Sequence, residues 1–157
     1  MTSTSASPQD LGRIASAITT AVPALHRALD RRVQQDFPLP KPSDGQMALL
    51  RLVREHDAIT VRKAAEALLM KPNNVSALVS QMVVDGLLER RPDAADKRVI
   101  HLCLTDLALS RVTEVEQLMD GYVVEALHSL SDGERAAIGS ALSALRTLTH
   151  HLHPAAH

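Results

Sequence analysis

The sequence has few aromatic residues: no tryptophan, one tyrosine and one phenylalanine among 157 residues. Two rings cannot fill the interior of such a chain, so its core must be aliphatic. The single cysteine, Cys103, excludes an intrachain disulfide framework and points to a reducing compartment, the cytoplasm. No apolar run approaches the ~18 residues that a membrane span requires. The opening MTSTSASPQD lacks the basic start and apolar centre of a secretory signal. There are only six glycines, and Gly-x-Gly-x-x-Gly, Gly-x-Ser-x-Gly and Cys-x-x-Cys are all missing. No His-Glu-x-x-His spacing occurs, and Glu114 and Glu116 point to different faces of a helix. The expectation is a protein that is not an enzyme and uses neither metal nor cofactor.

What is present is an ordinary globular mixture, 45% hydrophobic and 22% charged, long enough for one domain with helical extensions. Net charge is −1, which excludes a uniformly basic coat. The charge is unevenly spread. Residues 41–100 hold ten Lys/Arg against eight Asp/Glu, and the remainder seven against ten. Arg90, Arg91, Lys97 and Arg98 cluster around Asp93 and Asp96. A basic tip on an acidic body can meet phosphate locally, although a solvated loop would look the same.

Periodicity divides the chain. Residues 1–7 form a Ser/Thr-rich arm expected to be disordered, with Ser7-Pro8 as a helix start. Leu11, Ile14, Ala15, Ile18, Val22, Leu25 and Leu29 make a helical stripe within residues 8–36, which Pro23 should kink or divide. The run from Phe37 to Pro42 ends it. Ser43 with Gln46 spells a capping box for a helix that buries Met47, Leu49, Leu50 and Val53 and ends near His56. Ala58-Ile59-Thr60 reads as a small strand. The next helix runs from Val61 to about Leu69 with Val61, Ala64, Ala65, Leu68 and Leu69 inside.

After the turn at Lys71-Pro72, a helix from Asn73 to Asp85 stops at Gly86. Leu87–Arg91 and Val99–Leu104 read as two strands of a hairpin, with Pro92 at the loop edge because it cannot donate to a ladder. Leu107, Val112, Val115, Leu118, Met119, Val123, Leu127 and Leu130 mark a long helix. Ser131 with Glu134 opens a last one, carrying Ile138, Ala141, Leu142, Leu145, Leu148 and Leu152. Residues 153–157 read as a disordered tail. The fold class is mainly α with a small β-hairpin wing: a winged helix-turn-helix over residues 43–105, flanked by dimerisation helices at 8–36 and 106–152.

Such a unit lays one helix in the major groove of DNA while the hairpin tip reaches an adjacent groove. At 100° per residue, Val75, Leu78, Val79, Met82 and Val83 face one way. Asn73, Ser76, Ala77, Ser80 and Val84 face the other, flanked by Asn74 and Gln81. Short amides and hydroxyls on that face suit close approach to base edges. A polar face with no partner would read alike. No Lys or Arg occurs from Pro72 to Leu88, so affinity must lean on the wing and on Arg62, Lys63 and Lys71.

The stretch Gly86-Leu-Leu-Glu-Arg-Arg-Pro-Asp-Ala-Ala-Asp-Lys-Arg-Val-Ile-His-Leu-Cys-Leu-Thr105 resembles the wing signature of the MarR (multiple antibiotic resistance regulator) family, with Asp96-Lys97-Arg98 and Leu104-Thr105 at its marked positions. The order of elements is similar from about residue 10 to 152. The resemblance implies a homodimeric, cytoplasmic transcription regulator, a repressor, on a pseudo-palindromic double-stranded DNA operator. It also implies release by a small organic effector whose site residues the sequence does not name.

The expected DNA-binding residues are Asn73, Asn74, Ser76, Ser80, Gln81, Arg62, Lys63, Lys71, Arg91, Asp96, Lys97 and Arg98. Arg98 is expected in the minor groove with Asp96 directing it. Arg90 serves either the fold or the DNA. His26 and His56 face either a cavity or solvent, Cys103 is a small strand residue, and His150, His151, His153 and His157 form a frayed polar end. The competing reading is a helical dimerisation or scaffold module whose winged unit docks protein instead of DNA, argued from the uncharged helix.

Overall fold

A computed structural model describes residues 7–56 and 58–152. The expected arm at 1–6 and tail at 153–157 lie outside the described residues. Ser7 does not belong to the arm: its hydroxyl accepts from the Asp10 amide and caps α1 (Pro8–Asp36). Five more helices and a hairpin follow: α2 (Asp44–Glu55), α3 (Val61–Ala67), α4 (Pro72–Val84), β1 (Leu88–Pro92), β2 (Ile100–Leu104), α5 (Asp106–His128) and α6 (Asp132–Leu152). The chain forms two units, divided within α5 after Met119.

In the first unit the helix starts are set by side chains three residues upstream of a free amide. Ser43 and Gln46 close the capping box of α2, and Thr60 caps α3 through the Lys63 amide. α1 does not divide at Pro23. Proline removes one donor, leaving the carbonyl four residues back, on Thr19, without its helical partner. Residues 19–25 are exposed, so water can serve that carbonyl.

The core of this unit is aliphatic, as the composition requires. Leu49, Leu50, Met82, Leu88 and Leu102 are fully buried where α2, α3 and α4 pack with the hairpin. Each such side chain contributes about 1.5–3 kcal/mol relative to exposure. One inward assignment fails. Leu69 is 55% exposed, because the chain has left α3 and Leu69 takes a left-handed φ of 54°. Leu107 is exposed and its neighbour Ala108 is buried, so the buried face of α5 starts one residue later than the stripe suggests. Ala58-Ile59-Thr60 is no strand; Ile59 makes a single bridge to Leu102, whose N–H donates to the Ile59 carbonyl.

In the second unit, residues 120–152, α5 ends in a tight turn and Ser131 with Glu134 caps α6. Arg135 donates to the carbonyls of Leu127 and Leu130 and so closes the end of α5. No residue of α6 is buried.

Candidate nucleic-acid interface

α3 and α4 are joined by a turn that the sequence marks only at its end. The amide of Met70 donates to the Ala65 carbonyl and that of Leu69 to Glu66, a double closure that usually places glycine where Leu69 stands. Pro72 then fits the first turn of α4, where no helical donor is needed. α3 therefore ends at Ala67 and α4 begins at Pro72, each slightly earlier than the sequence suggests.

Helical period then sorts α4 into two faces. Val75, Val79 and Met82 are buried and Leu78 and Val83 half-buried, while Asn73, Asn74, Ser76, Ala77, Ser80, Gln81 and Val84 are exposed. The outer face is thus neutral and short, as expected. Ser80 is already engaged: its hydroxyl donates to the Ser76 carbonyl and accepts from Arg90 Nη2 at 2.9 Å. Gln81 donates to Asp85 at 2.9 Å along the helix.

Gly86 ends α4 with φ 70°, a conformation glycine adopts without penalty. The Leu87 amide returns to the Met82 carbonyl, and the chain enters β1 at once. β1 pairs antiparallel with β2 in the register Leu88↔Leu104, Arg90↔Leu102 and Pro92↔Ile100. Strand alternation puts Arg90 on the face of Leu88 and Leu102, the face turned to the helices. Its guanidinium therefore meets Ser80 of α4. The sequence left Arg90 between two roles and could not show this contact. It supplies α4 with the cation its own residues lack.

The hairpin tip is held by carboxylates. Asp93 Oδ1 accepts the amides of Ala95 and Asp96, at 2.8 and 2.9 Å, and Oδ2 meets His101 Nε2 at 2.9 Å. The Asp96 amide, the His101 imidazole and the Ala95 amide hold the Asp93 carboxyl down at about 2. Asp96 in turn accepts the Arg98 amide and Nε through Oδ1 and Arg98 Nη2 through Oδ2, each at 3.0 Å. Those Arg98 bonds lower the Asp96 carboxyl and raise the guanidinium of Arg98. The Arg98 side chain is 90% exposed and Nη1 is left to donate outward.

The other expected cations differ in their surroundings. Arg62 pairs with Glu66 and Arg91 with Glu89. Lys63, Lys71 and Lys97 are exposed and, among the described residues, form no ion pair.

Within the first unit, between α1, α2 and the first half of α5, a cavity of about 370 Å³ is lined by Leu29, Met47, Ala48 and Met119, with His26, Lys41, Asp44 and Arg51 around it. Lys41 pairs with Asp30 and Asp44, and His26 Nε2 lies 3.0 Å from Asp44, holding that carboxyl below its usual range. Glu116 of α5 receives both Arg51 and Arg54 of α2 at 2.8–3.1 Å, and Arg54 first, then Arg51, lower it. The expectation set Glu116 aside because its neighbour Glu114 faces elsewhere; its partners, 62 and 65 residues away, are not a sequence signal. His26 thus lines this cavity. His56 lines a second one beside Lys63, with Nδ1 against the Leu52 carbonyl.

A helix pair with a tight turn, followed by a hairpin whose base touches the second helix, defines a winged helix-turn-helix. The sequence model of the MarR family matches residues 40–99, from the loop before α2 to the end of the wing loop. The chain is similar to the HTH-type transcriptional repressor MdtR of Bacillus subtilis, 24% identical over 94 residues, which cover 60% of this chain. The match spans 61% of that relative's length. Among solved structures, a MarR family protein from Bacillus stearothermophilus aligns with 93% of this chain and 99% of its own at TM-score 0.78 and 17% identity. A mutant of S. aureus MepR bound to an oligodeoxyribonucleotide aligns with 87% and 97% at TM-score 0.63 and 20% identity. The two structural likenesses are likenesses of fold.

Proposed function

We propose that the chain is a transcription regulator of the MarR type, a homodimeric repressor that binds a pseudo-palindromic operator in the cytoplasm. The observation that carries this reading is the Arg90–Ser80 hydrogen bond, which joins wing and helix into one cationic, close-fitting surface. α4 would enter the major groove with Asn73, Asn74, Ser76 and Gln81 toward base edges. Arg98 would enter the minor groove with Asp96 fixing its direction, and Lys97, Lys71, Lys63, Arg62 and Arg91 would lie along phosphates. α1 carries Leu11, Ile14, Val22 and Leu25 at 50–60% exposure, and α6 carries Ile138, Leu142, Leu145, Leu148 and Leu152 at 39–74%. Two such stripes favour a second copy of the chain as their cover. The cavity around Lys41 and Arg51 is of a size suited to a small organic effector. Such a molecule would release DNA only by binding one spacing of the two heads better than the other.

Duplexes recovered by the protein from a random-sequence library test this reading. Arg98→Ala is expected to weaken binding about tenfold or more, measured by fluorescence anisotropy, with the sedimentation coefficient unchanged. Unchanged binding refutes the wing assignment. A log affinity that does not fall with log salt refutes DNA binding by phosphate contact and favours a protein-docking module. Sedimentation as a single chain at micromolar concentration refutes the dimer.

A further inference from the structure

His101 is not among the residues proposed to touch DNA. It stands on β2, opposite Arg91, on the sheet face away from Leu102. Its side chain is 17% exposed and the Nδ1 atom is buried with no hydrogen-bond partner. An ionised carboxylate only accepts, so Nε2 is the atom that donates to Asp93. The imidazole thus spends that donor on the wing loop.

From that bond a continuous chain of contacts leads to the tip. His101 holds Oδ2 of Asp93. Oδ1 of the same carboxylate gathers the amides of Ala95 and Asp96. The loop is closed from Asp93 N to the Val99 carbonyl at 2.8 Å and from Val99 N to the Asp96 carbonyl at 2.9 Å. The carboxylate of Asp96, so positioned, takes Arg98 by its amide, Nε and Nη2. Each link fixes the next, and only the first is anchored in the paired part of the hairpin.

We propose that His101, through Asp93, is a positioning residue for Arg98: it sets the wing loop so that Arg98 leaves it at one angle. The proposal rests on the reading of Arg98 as a DNA contact. Without the anchor, Asp93 retains its two amide bonds, but the loop can swing about them and Arg98 must be ordered again at each encounter.

The test is a double-mutant cycle on the same library-derived duplexes. His101→Leu is expected to weaken binding about five- to tenfold. His101→Gln, which keeps an N–H near the Nε2 position, restores most of the affinity. In the Arg98→Ala background His101→Leu adds less than about twofold, because the residue it positions is gone. Asp93→Asn, at a half-exposed site, reproduces the loss should the leucine variant melt at working temperature. A loss from His101→Leu that is the same in both backgrounds overturns the proposal, as does no loss from either His101→Leu or Asp93→Asn. Arg98→Ala without effect overturns the wing reading itself, and the positioning role with it.

Discussion

Thr105 joins the base of the wing to the start of α5, and its hydroxyl does two separable things. As acceptor it takes the Ala108 amide at 3.1 Å, which makes Thr105 the N-cap of α5. As donor it reaches the Gly86 carbonyl at 2.7 Å and Leu87 at 3.3 Å, fastening the end of α4 to the helix that follows the wing. Thr105→Val keeps the shape and deletes both. The lost cap costs about 1 kcal/mol. The lost donation costs less, about 0.5–1 kcal/mol, because Gly86 is exposed and its carbonyl can turn to water. The expected total is about 1.5–2 kcal/mol, or roughly 3–8 °C in Tm for a chain this long, read at fixed protein concentration because an oligomer's Tm depends on it. Thr105→Ser keeps both bonds and should stay within about 0.5 kcal/mol of the parent. Thr105→Asp caps but cannot donate, and should fall between the two. A serine variant as unstable as the valine variant would refute the argument from the hydroxyl, and so would a valine variant within about 0.5 kcal/mol of the parent.

Two further outcomes are expected. Ala58 is exposed with φ 63°, where a Cβ is penalised, so Ala58→Gly should raise stability by up to about 1 kcal/mol in urea denaturation; a loss would show that the left-handed turn is not strained. Acid should loosen the wing loop and the α2–α5 clamp together. The carboxyls of Asp93, Asp96 and Glu116 are lowered on folding, so what they contribute is complete above their unfolded values near pH 4. It is lost as pH falls through the folded values, reaching about 2 for Asp93. Tm against pH should therefore drop below about 4, more shallowly for Glu116→Gln; a flat profile down to pH 2.5 would contradict these pairings.

Much of the architecture could be read from residues a few positions apart. The caps at Ser7, Ser43 and Ser131 depend on a three-residue spacing and sit where the sequence puts them. The buried faces of α2 and α4 follow from the 3.6-residue period, and Gly86 from its freedom at positive φ. Errors arise where a local rule meets a neighbour it cannot see. Leu69 has the apolar spacing of α3 but stands beyond its last turn, so hydrophobicity placed it inside and backbone geometry put it out. α1 runs through Pro23, on an exposed stretch where water can take the freed carbonyl of Thr19. In the candidate site, the neutral face of α4 and the Asp96–Arg98 pair were legible because both are short-range. Arg90 on Ser80, His101 on Asp93 and the two arginines on Glu116 were not, since each requires the fold to bring distant positions together.

The pairing of the wing cations has a consequence for salt dependence that a count of basic residues misses. Seven cations belong to the proposed surface: Arg62, Lys63, Lys71, Arg90, Arg91, Lys97 and Arg98. Arg62, Arg91 and Arg98 each hold a carboxylate at 2.8–3.2 Å. A cation that arrives with its own anion releases little counterion, because the pair meets the phosphates nearly neutral. Only Lys63, Lys71, Arg90 and Lys97 then count, and the slope of log affinity on log salt should be roughly −4 per protomer, against roughly −6 if all seven acted. Arg90 belongs to the smaller group because its partner is a hydroxyl, so Arg90→Met should reduce the slope by about one. Arg91→Met made together with Glu89→Gln should hardly change it, since a nearly neutral pair gives way to a neutral one. Titrations between 50 and 200 mM salt separate the two cases. A slope near −6, or a double variant that lowers it as much as the Arg90 variant, would mean that these carboxylates are displaced on docking and that the free protein does not present its charges as the DNA meets them.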